Sequence, residues 1–270
     1  MELVKSIRPR KRLGQNFLIN NSIAKIEAEY GIGKSVLELG PGLGMLTKAL
    51  CKAARHVIAV EKDPALFSLL SAELKCSNLE LLNKDFFELE DSYIEKAEML
   101  IANIPYNLSS RVVSWLSAHR MPALLCMQKE FAEHMQAKEG TRKYSKLSVA
   151  AGLEFTVYKI MDVKAGNFYP RPKVDSAIVF IKPKADAMPA GISSIVAALM
   201  GHKKKKLRNA VIDARQSLGL TYYEALAVAG SFGHSNDRVF KLAPEEIRHA
   251  AEEISAAIKR MKSKNSHQNE

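Results

Sequence analysis

The first half of the chain alternates short apolar runs with segments whose apolar positions recur at helical spacing. Each run holds four or five mostly apolar residues, which is typical of strands buried on both faces of a parallel sheet. The predicted strands are 36–39, 56–60, 79–82, 99–102 and 123–127, and the predicted helices are 22–30, 45–53, one from 64, 109–118 and 128–138. This order predicts an α/β fold, with a Rossmann-like sheet that carries helices on both faces.

The second half of the chain changes character. Residues 157–163 and 174–181 are rich in β-branched side chains and predict two further strands. From Ile192 onward the apolar positions follow helical spacing, which predicts a small all-helical C-terminal domain. The predicted helices there include 221–228 and 244–260. The predicted organisation is an α/β domain with a basic N-terminal arm over 1–184, a linker over 182–189, a helical domain over 190–262 and a disordered polar tail over 263–270.

Composition narrows the class of partner. The chain has 270 residues, 47% of them hydrophobic, and a formal net charge of +11 at pH 7. Such an excess of positive charge favours a polyanionic partner, nucleic acid first. No apolar run is long enough to cross a membrane, and we expect no signal peptide. The three cysteines are scattered without metal-ligand spacing, so we expect a reducing cytoplasm and no metal.

Residues able to bind a nucleoside-like cofactor follow the first three predicted strands. The first strand leads into Gly40–Gly44, where alternate glycines let the backbone approach a ligand closely. A dinucleotide-binding fingerprint would read G-x-G-x-x-G, whereas the glycines here alternate as G-x-G-x-G. The alternate spacing suits S-adenosylmethionine (SAM) better than a dinucleotide and argues against a nicotinamide-dependent dehydrogenase. Glu61 after the second strand can accept hydrogen bonds from ribose hydroxyls, and Asp85 after the third can accept from an adenine amino group. Parallel strands bring these ends to one edge of the sheet.

The fourth strand leads into Asn103-Ile104-Pro105-Tyr106. An exocyclic amino group on a flat ring could donate one N–H to the Asn103 side chain and the other to the Ile104 carbonyl, which Pro105 holds in place. Tyr106 could stack on the ring. The simpler alternative is a strand that ends in a turn, because asparagine and proline are common turn residues. Phe168, in a proline-rich loop, is either a core residue or a second stacking face for a flipped base.

Three basic segments are candidate RNA contacts. They are residues 5–12, 138–146 and 203–208. The third opens an amphipathic helix with four lysines and an arginine, as an RNA-facing surface would. A solvated tail, turn or helix face is the alternative for each segment.

Four motifs together resemble the small-subunit ribosomal RNA adenine N6,N6-dimethyltransferases of the KsgA/Dim type. They are Gln15–Leu18, Glu38–Gly44, Asn103–Ser110 and Phe168–Ala177, within a match over residues 8–182. The resemblance implies SAM-dependent conversion of two adjacent adenosines near the 3′ end of small-subunit (16S) rRNA to N6,N6-dimethyladenosine. It implies SAM contacts at Asn16, Leu18, Gly40, Glu61, Asp85 and Asn103, and a catalytic segment of Asn103, Ile104, Pro105 and Tyr106 with Phe168.

Two other functions remain open from the sequence. The erythromycin-resistance methyltransferases share the SAM motifs but act on large-subunit rRNA. They tend to carry asparagine at the position of Asp175, and this single residue is what separates the two groups within the motif. A non-catalytic rRNA-binding assembly factor would keep the basic surfaces, although the intact site argues against it. An assembly-checkpoint role could coexist with catalysis. We expect a monomer whose partner is small-subunit rRNA or a pre-small ribosomal subunit, with no membrane contact.

Overall fold

The computed structural model describes residues 9–10, 14–186, 188–189, 191–230 and 236–266. The chain folds into two compact units. The first unit is Met1–Ala132 with Val157–Pro183, and the second is Glu133–Thr156 with Lys184–Glu270. No helix among the described residues is both long enough and apolar enough to cross a lipid bilayer.

A seven-stranded mixed sheet forms the centre of the first unit, with helices on both faces. Its strands are β2 (Ser35–Leu39), β3 (His56–Val60), β4 (Leu79–Leu82), β5 (Met99–Asn103), β6 (Ala123–Gln128), β7 (Phe155–Val163) and β9 (Ser176–Pro183). The short strands β1 (Phe17–Leu18) and β8 (Phe168–Tyr169) form a separate antiparallel pair. The sheet order is β4-β3-β2-β5-β6-β9-β7, with β2 to β6 parallel and β9 antiparallel to β6. Chain order reverses between β2 and β5, so a ligand crevice is expected at their carboxyl ends.

Local sequence explains where the helices of this unit begin. They are α1 (Asn21–Glu29), α2 (Met45–Ala53), α3 (Pro64–Glu73), α4 (Asp91–Ile94), α5 (Ser109–His119) and the start of α6 (Lys129–Met135). The Asn20 side chain accepts from the backbone N–H groups of Ser22 and Ile23, which caps α1. Asp63 caps α3 in the same way, with Pro64 at the first helical position.

The core of the first unit lies between the sheet and its helices. Val36, Val57 and Ile101 from three parallel strands are fully buried and cluster with Leu50 of α2. The strands β2, β3 and β5 are buried on both faces, which explains why their sequences read as continuous apolar runs.

The second unit is helical. It contains α7 (Lys146–Glu154), α8 (Ile192–Gly201), α9 (Leu207–Asp213), α10 (Tyr222–Ala229) and α11 (Pro244–Ser266). Its core includes the fully buried residues Leu199, Leu207 and Ile254. Tyr144 is also buried there and donates its hydroxyl to the Leu242 carbonyl at 2.8 Å.

Two boundaries and one strand pair differ from the prediction. Residues 133–156 group with the helical unit because Tyr144, Val149 and Leu153 pack into its core. The last helix extends to Ser266, since no glycine or proline interrupts 245–266, so the first part of the expected disordered tail is helical and 267–270 lie outside the described residues. The short antiparallel pair of β1 and β8 was not predicted.

Candidate active site

A cleft of about 850 Å³, part of it open to solvent, lies in the first unit at the carboxyl ends of β2, β3 and β5. It brings together nearly all of the residues singled out from the sequence. Those lining it are Asn16, Gly40, Glu61, Asp85, Asn103, Ile104, Pro105, Tyr106 and Phe168. Residues that the motifs scatter over 150 positions of sequence therefore share one surface, as the parallel topology predicts.

Leu18 is placed differently from the rest of the predicted set. It lines a smaller pocket beside Asn16 and Gly40, and its side chain is packed in the core of the first unit. Its strand β1 pairs with β8, so that Leu18 lies opposite Phe168. Any contact of Leu18 with a ligand is therefore expected from its backbone.

The glycine turn after β2 depends on left-handed backbone at alternate positions. The φ values of Gly40, Gly42 and Gly44 are 67°, 60° and 75°, and residues other than glycine rarely adopt such values. A Cβ on Gly42 would lie 2.8 Å from the Phe17 ring, whereas a Cβ on Gly40 would meet no protein atom within 4 Å. The turn is therefore covered by Phe17 at Gly42 and open at Gly40.

Glu61 follows β3 and is buried. Its Oε2 accepts from the Gly42 N–H at 3.1 Å, and its Oε1 accepts from the Asp63 N–H at 2.8 Å. Burial raises the pKa of this carboxyl above its ordinary value, although the backbone hydrogen bonds oppose the shift. Each carboxylate oxygen has two acceptor positions, so both can also accept a donor from a ligand.

Asp85 follows β4 and is paired. Its Oδ2 accepts from Lys62 Nζ at 2.6 Å, and its Oδ1 accepts from the Phe87 N–H at 3.0 Å. Desolvation opposes ionisation of Asp85, but these hydrogen bonds outweigh it and lower the pKa of the carboxyl. The predicted role of Asp85 as acceptor for an adenine amino group therefore involves an oxygen that already has a partner.

The N-terminal segment docks against the cleft. Gln15 donates to Asp63 Oδ2 at 3.2 Å, and Arg10 Nε lies 3.3 Å from the same oxygen. Asn16 Nδ2 donates to the Gly14 carbonyl at 3.2 Å. Arg10 is therefore engaged with a buried acid, and most of the rest of the predicted basic arm lies outside the described residues.

Asn103 is the last residue of β5 and lies at the base of the cleft. Its Nδ2 donates to Glu27 Oε2 at 3.0 Å, and its Oδ1 is buried without a hydrogen-bond partner in the described part of the chain. The Ile104 N–H donates to the Cys126 carbonyl at 3.1 Å, so the chain leaves β5 still tied to β6. Pro105 follows with φ of −55°, within its normal range. The segment offers a fixed, buried acceptor.

Two aromatic side chains line the same cleft. The Tyr106 hydroxyl lies 2.7 Å from the Oγ of Ser176 on β9, which anchors the ring at its far end. Phe168 is largely buried and packs in the same core cluster as Leu18. Phe168 is therefore part of the core and of the cleft wall at once.

Glu38 of β2 is a second buried acid beneath the glycine turn. Burial is the main cause that raises the pKa of its carboxyl to about 8, and the nearby carboxylates of Glu27 and Glu61 act in the same direction. Its Oε2 has no hydrogen-bond partner among the described residues.

Comparison with known proteins identifies the family. Residues 7–224 match the family described as ribosomal RNA adenine dimethylase. The chain belongs to the ribosomal RNA adenine dimethylase family. Membership confirms the fold class, the enzyme class and the cofactor that the motifs predict: an rRNA adenine dimethyltransferase that uses SAM.

Curated relatives and solved structures agree with this family. The chain is 38% identical over 251 residues to a probable ribosomal RNA small subunit methyltransferase A of Pyrococcus abyssi, with 91% of this chain and 92% of that protein covered. It is 36% identical to the Thermococcus sibiricus protein of the same name, with 90% and 91% covered. A dimethyladenosine transferase from Plasmodium falciparum superimposes with a TM-score of 0.75 at 28% identity, covering 89% of this chain and 98% of that one.

The solved 23S rRNA methyltransferase ErmE is similar to the chain as well. It superimposes with a TM-score of 0.59 at 26% identity, and the match covers 89% of this chain and 100% of that one. The resemblance to the resistance enzymes noted from the sequence is therefore also a resemblance of fold.

The residues present in the cleft fit SAM. Asn103 Oδ1 lies in the cleft, and Glu38 Oε2 belongs to the smaller pocket beside it, which Asn103 also lines. Both are buried acceptors without partners in the described part of the chain, and a ligand with amino and ammonium donors would satisfy them. The open space beside Gly40 leaves room for a ligand to touch the backbone. Glu61 supplies a carboxylate at the end of β3, where two vicinal hydroxyls can be bound together.

Several cleft residues escaped the sequence analysis. They include Lys62, Phe86 and Phe87, whereas Phe17 and Ser176 lie within the quoted motifs but were assigned no role there. The pair Phe86-Phe87 directly follows Asp85, and two aromatic residues after an acid at a strand end are a signal for an apolar slot that could have been used. The motif that contains Ser176 does not indicate a role for its hydroxyl, because that role depends on the long-range contact with Tyr106.

Proposed function

We propose that this dimethyltransferase modifies two adjacent adenosines near the 3′ end of small-subunit rRNA, forming N6,N6-dimethyladenosine at each. The observation that carries the chemistry is the Asn103 amide, whose Nδ2 is engaged by Glu27 while its Oδ1 is buried without a partner among the described residues. A buried acceptor at the end of β5 matches a substrate that must donate an amino N–H. The relatives from Pyrococcus abyssi and Thermococcus sibiricus are named for the small subunit.

Catalysis in this proposal is mainly orientation. The Asn103 Oδ1 accepts one amino hydrogen of adenine, and the Ile104 carbonyl accepts the other. These two bonds favour the pyramidal amino group, whose lone pair would otherwise be delocalised into the ring. SAM supplies a methyl group already activated on a sulfonium, so the protein needs no strong base. Pro105 restricts the backbone that carries both acceptors.

Tyr106 and Phe168 are proposed to clamp the flipped base. Stacking of a base on an aromatic ring is worth roughly 1–3 kcal/mol. The hydrogen bond between the Tyr106 and Ser176 hydroxyls keeps one ring in place before the base arrives, which lowers the entropy cost of the clamp. After the first methylation a single amino hydrogen remains, so the base must turn or rebind for the second.

The cofactor contacts are assigned by the same argument. We assign Glu61 to the ribose hydroxyls, Asp85 to the adenine amino group, and the backbone at Gly40 to close approach. Asn16, Leu18 and Asn103 complete the set. Asp85 Oδ2 can accept from adenine through its second acceptor position while it stays paired with Lys62. The Lys62 side chain is 61% exposed, so it can also move aside.

The helical unit supplies a basic surface for RNA. Backbone hydrogen bonds join Gly140 to the Phe240 carbonyl at 2.7 Å and Phe240 to the Lys203 carbonyl at 2.9 Å. The two predicted basic segments 138–146 and 203–208 therefore meet at 238–241. The exposed cations of this surface are Lys138, Arg142, Lys143, Lys146, Lys204, Lys205, Lys206, Arg208, Arg238 and Lys241. Such a cluster is suited to several phosphates of a folded RNA. We call it the basic surface.

The proposed partner is a pre-small ribosomal subunit in the cytoplasm, which the enzyme binds as a monomer. A large-subunit target, as in the printed name of ErmE, is the alternative that shares the fold.

Labelled SAM with unmethylated small and large ribosomal subunits, side by side, tests the target. The proposal expects label in small-subunit rRNA, recovered as dimethyladenosine after digestion to nucleosides. Naked small-subunit rRNA in a third reaction separates assembled from free substrate. Label in the large subunit alone would contradict the proposed target and support the resistance-type alternative.

A further inference from the structure

Glu27 is a buried acid that no motif marks. It lies on α1, outside the parallel strands that carry the known motifs, and is 1% exposed. Asn103 Nδ2 donates to its Oε2 at 3.0 Å. Within the described part of the chain this is the one hydrogen bond of its side chain, and its Oε1 has no partner.

We propose that Glu27 is a positioning residue, which locks the Asn103 amide in the orientation that presents Oδ1 as the acceptor for the target amino group. An ionised carboxylate is an acceptor only, so it can pair with the amide nitrogen and not with the amide oxygen. An asparagine amide turned by 180° would present a donor to the adenine amino group, which needs an acceptor. The lock therefore selects the productive one of two nearly isosteric orientations.

A purely structural role does not explain this side chain. Burying a carboxylate without a basic partner is costly, whereas an apolar residue at this position would pack on α1 without that cost. Burial raises the pKa of Glu27 to about 7, and the hydrogen bond from Asn103 opposes the shift. The ionisable groups that interact with it are Glu38 of β2 and the buried thiol of Cys126 on β6, and neither is a cation.

Two substitutions separate positioning from packing. Glu27→Gln keeps the shape but offers both a donor and an acceptor, so Asn103 can adopt either orientation. We expect kcat to fall about twofold to tenfold, because part of the enzyme then holds the wrong orientation. Glu27→Leu removes the partner altogether, and we expect a loss on the order of 10- to 100-fold, the range for a misplaced catalytic group. Glu29→Gln, exposed on the same helix, is the matched control and should change nothing.

Thermal unfolding without cofactor provides a readout independent of activity. Glu27→Gln removes a buried carboxyl whose folded pKa is raised, and that carboxyl costs stability as pH rises from 4.5 to about 7. The melting temperature of Glu27→Gln should therefore be close to that of the wild type at pH 4, below the unfolded pKa, and exceed it at pH 8. A falling kcat together with a rising melting temperature is a combination that a packing role does not produce.

The pH profile provides a further readout. A protonated Glu27 can donate to Asn103 Oδ1 and turn the amide, so the wild-type kcat should fall on the acid side of about pH 7. Glu27→Gln should lack this acid limb. The kcat values are compared at saturating SAM, because Asn103 is also an assigned SAM contact and its reorientation can weaken SAM binding. The proposal is overturned if Glu27→Gln retains wild-type kcat and the same acid limb, or if its kcat loss is accompanied by a lower melting temperature at pH 8.

Discussion

Gly40 allows a sharp test of how the glycine turn binds SAM. Its φ is 67°, and a Cβ added there would meet no protein atom within 4 Å. Because Gly40 lines the cleft, the added methyl of Gly40→Ala would stand in the space proposed for the cofactor. Gly33 is a matched control, since its φ is 71° and its Cβ would also meet nothing, but it does not line the cleft.

The magnitudes follow from this geometry. Left-handed backbone costs an alanine roughly 1–2 kcal/mol at either position, which lowers the melting temperature by about 2–8 °C in a chain of this size. Only Gly40→Ala adds an obstruction to the ligand. Forcing a methyl into a packed contact costs about 1–3 kcal/mol, which corresponds to a dissociation constant for SAM that is roughly 5- to 150-fold larger.

The assay is calorimetric titration of SAM into both variants, paired with thermal unfolding without the cofactor. We expect similar melting temperatures and a weakened SAM affinity for Gly40→Ala alone. Equal SAM affinity in the two variants would refute the proposed close approach at Gly40, because the backbone strain is common to both.

Three further predictions concern other parts of the molecule. Tyr106→Phe should lose about 1–2 kcal/mol of stability, because the buried Ser176 hydroxyl loses the Tyr106 hydroxyl as its partner. Its kcat should stay within about threefold of wild type because the ring remains, and an unchanged free energy of unfolding in denaturant would contradict this prediction. Glu38→Gln should raise the melting temperature at pH 8 by at least roughly 2–4 °C, the shift that corresponds to 1 kcal/mol, and should not raise it at pH 4.5. The reason is that the folded pKa of about 8 makes ionisation of Glu38 costly between these two pH values. Lys204→Glu on the basic surface should reduce the slope of log affinity against log salt for rRNA by about 1 in filter-binding assays, whereas Lys25→Glu on the first unit should not.

Much of the cleft could be predicted from the sequence because each component is local. A buried strand followed by a glycine turn, an acid or an asparagine places that residue at the carboxyl edge whatever the rest of the chain does. Gly40, Glu61 and Asp85 were found in this way, and the structure brings them to one cleft with Asn103. Their individual ligand contacts remain predictions.

What escaped prediction depends on long-range pairing. Strands of two residues, such as β1 and β8, carry too little pattern to be recognised, and they form because Phe17 and Leu18 meet Tyr169 and Phe168 across the fold. The helix at Lys146–Glu154 has no clear amphipathic pattern, and nothing local tells which hydrophobic core it joins.

Glu27 is a case in which a local signal existed. Ile23, Ala24 and Ala28 mark the buried face of α1 by their spacing, and Glu27 stands on that face. A charged residue at a core position of a helix indicates a buried partner, although the sequence alone does not name Asn103.

The most direct test of the account is quantitative nucleoside analysis of unmethylated small-subunit rRNA after reaction with wild-type enzyme and with Asn103→Ala. The account predicts dimethyladenosine from the wild type and a kcat lower by about 10²- to 10³-fold in the variant, the usual cost of removing one transition-state hydrogen-bond partner. Because Asn103 is also an assigned SAM contact, Asn103→Ala should need more SAM for the same thermal stabilisation, and stabilisation at saturating SAM would show that the cleft is intact. Wild-type rates of dimethyladenosine formation in Asn103→Ala would contradict the central role of this amide.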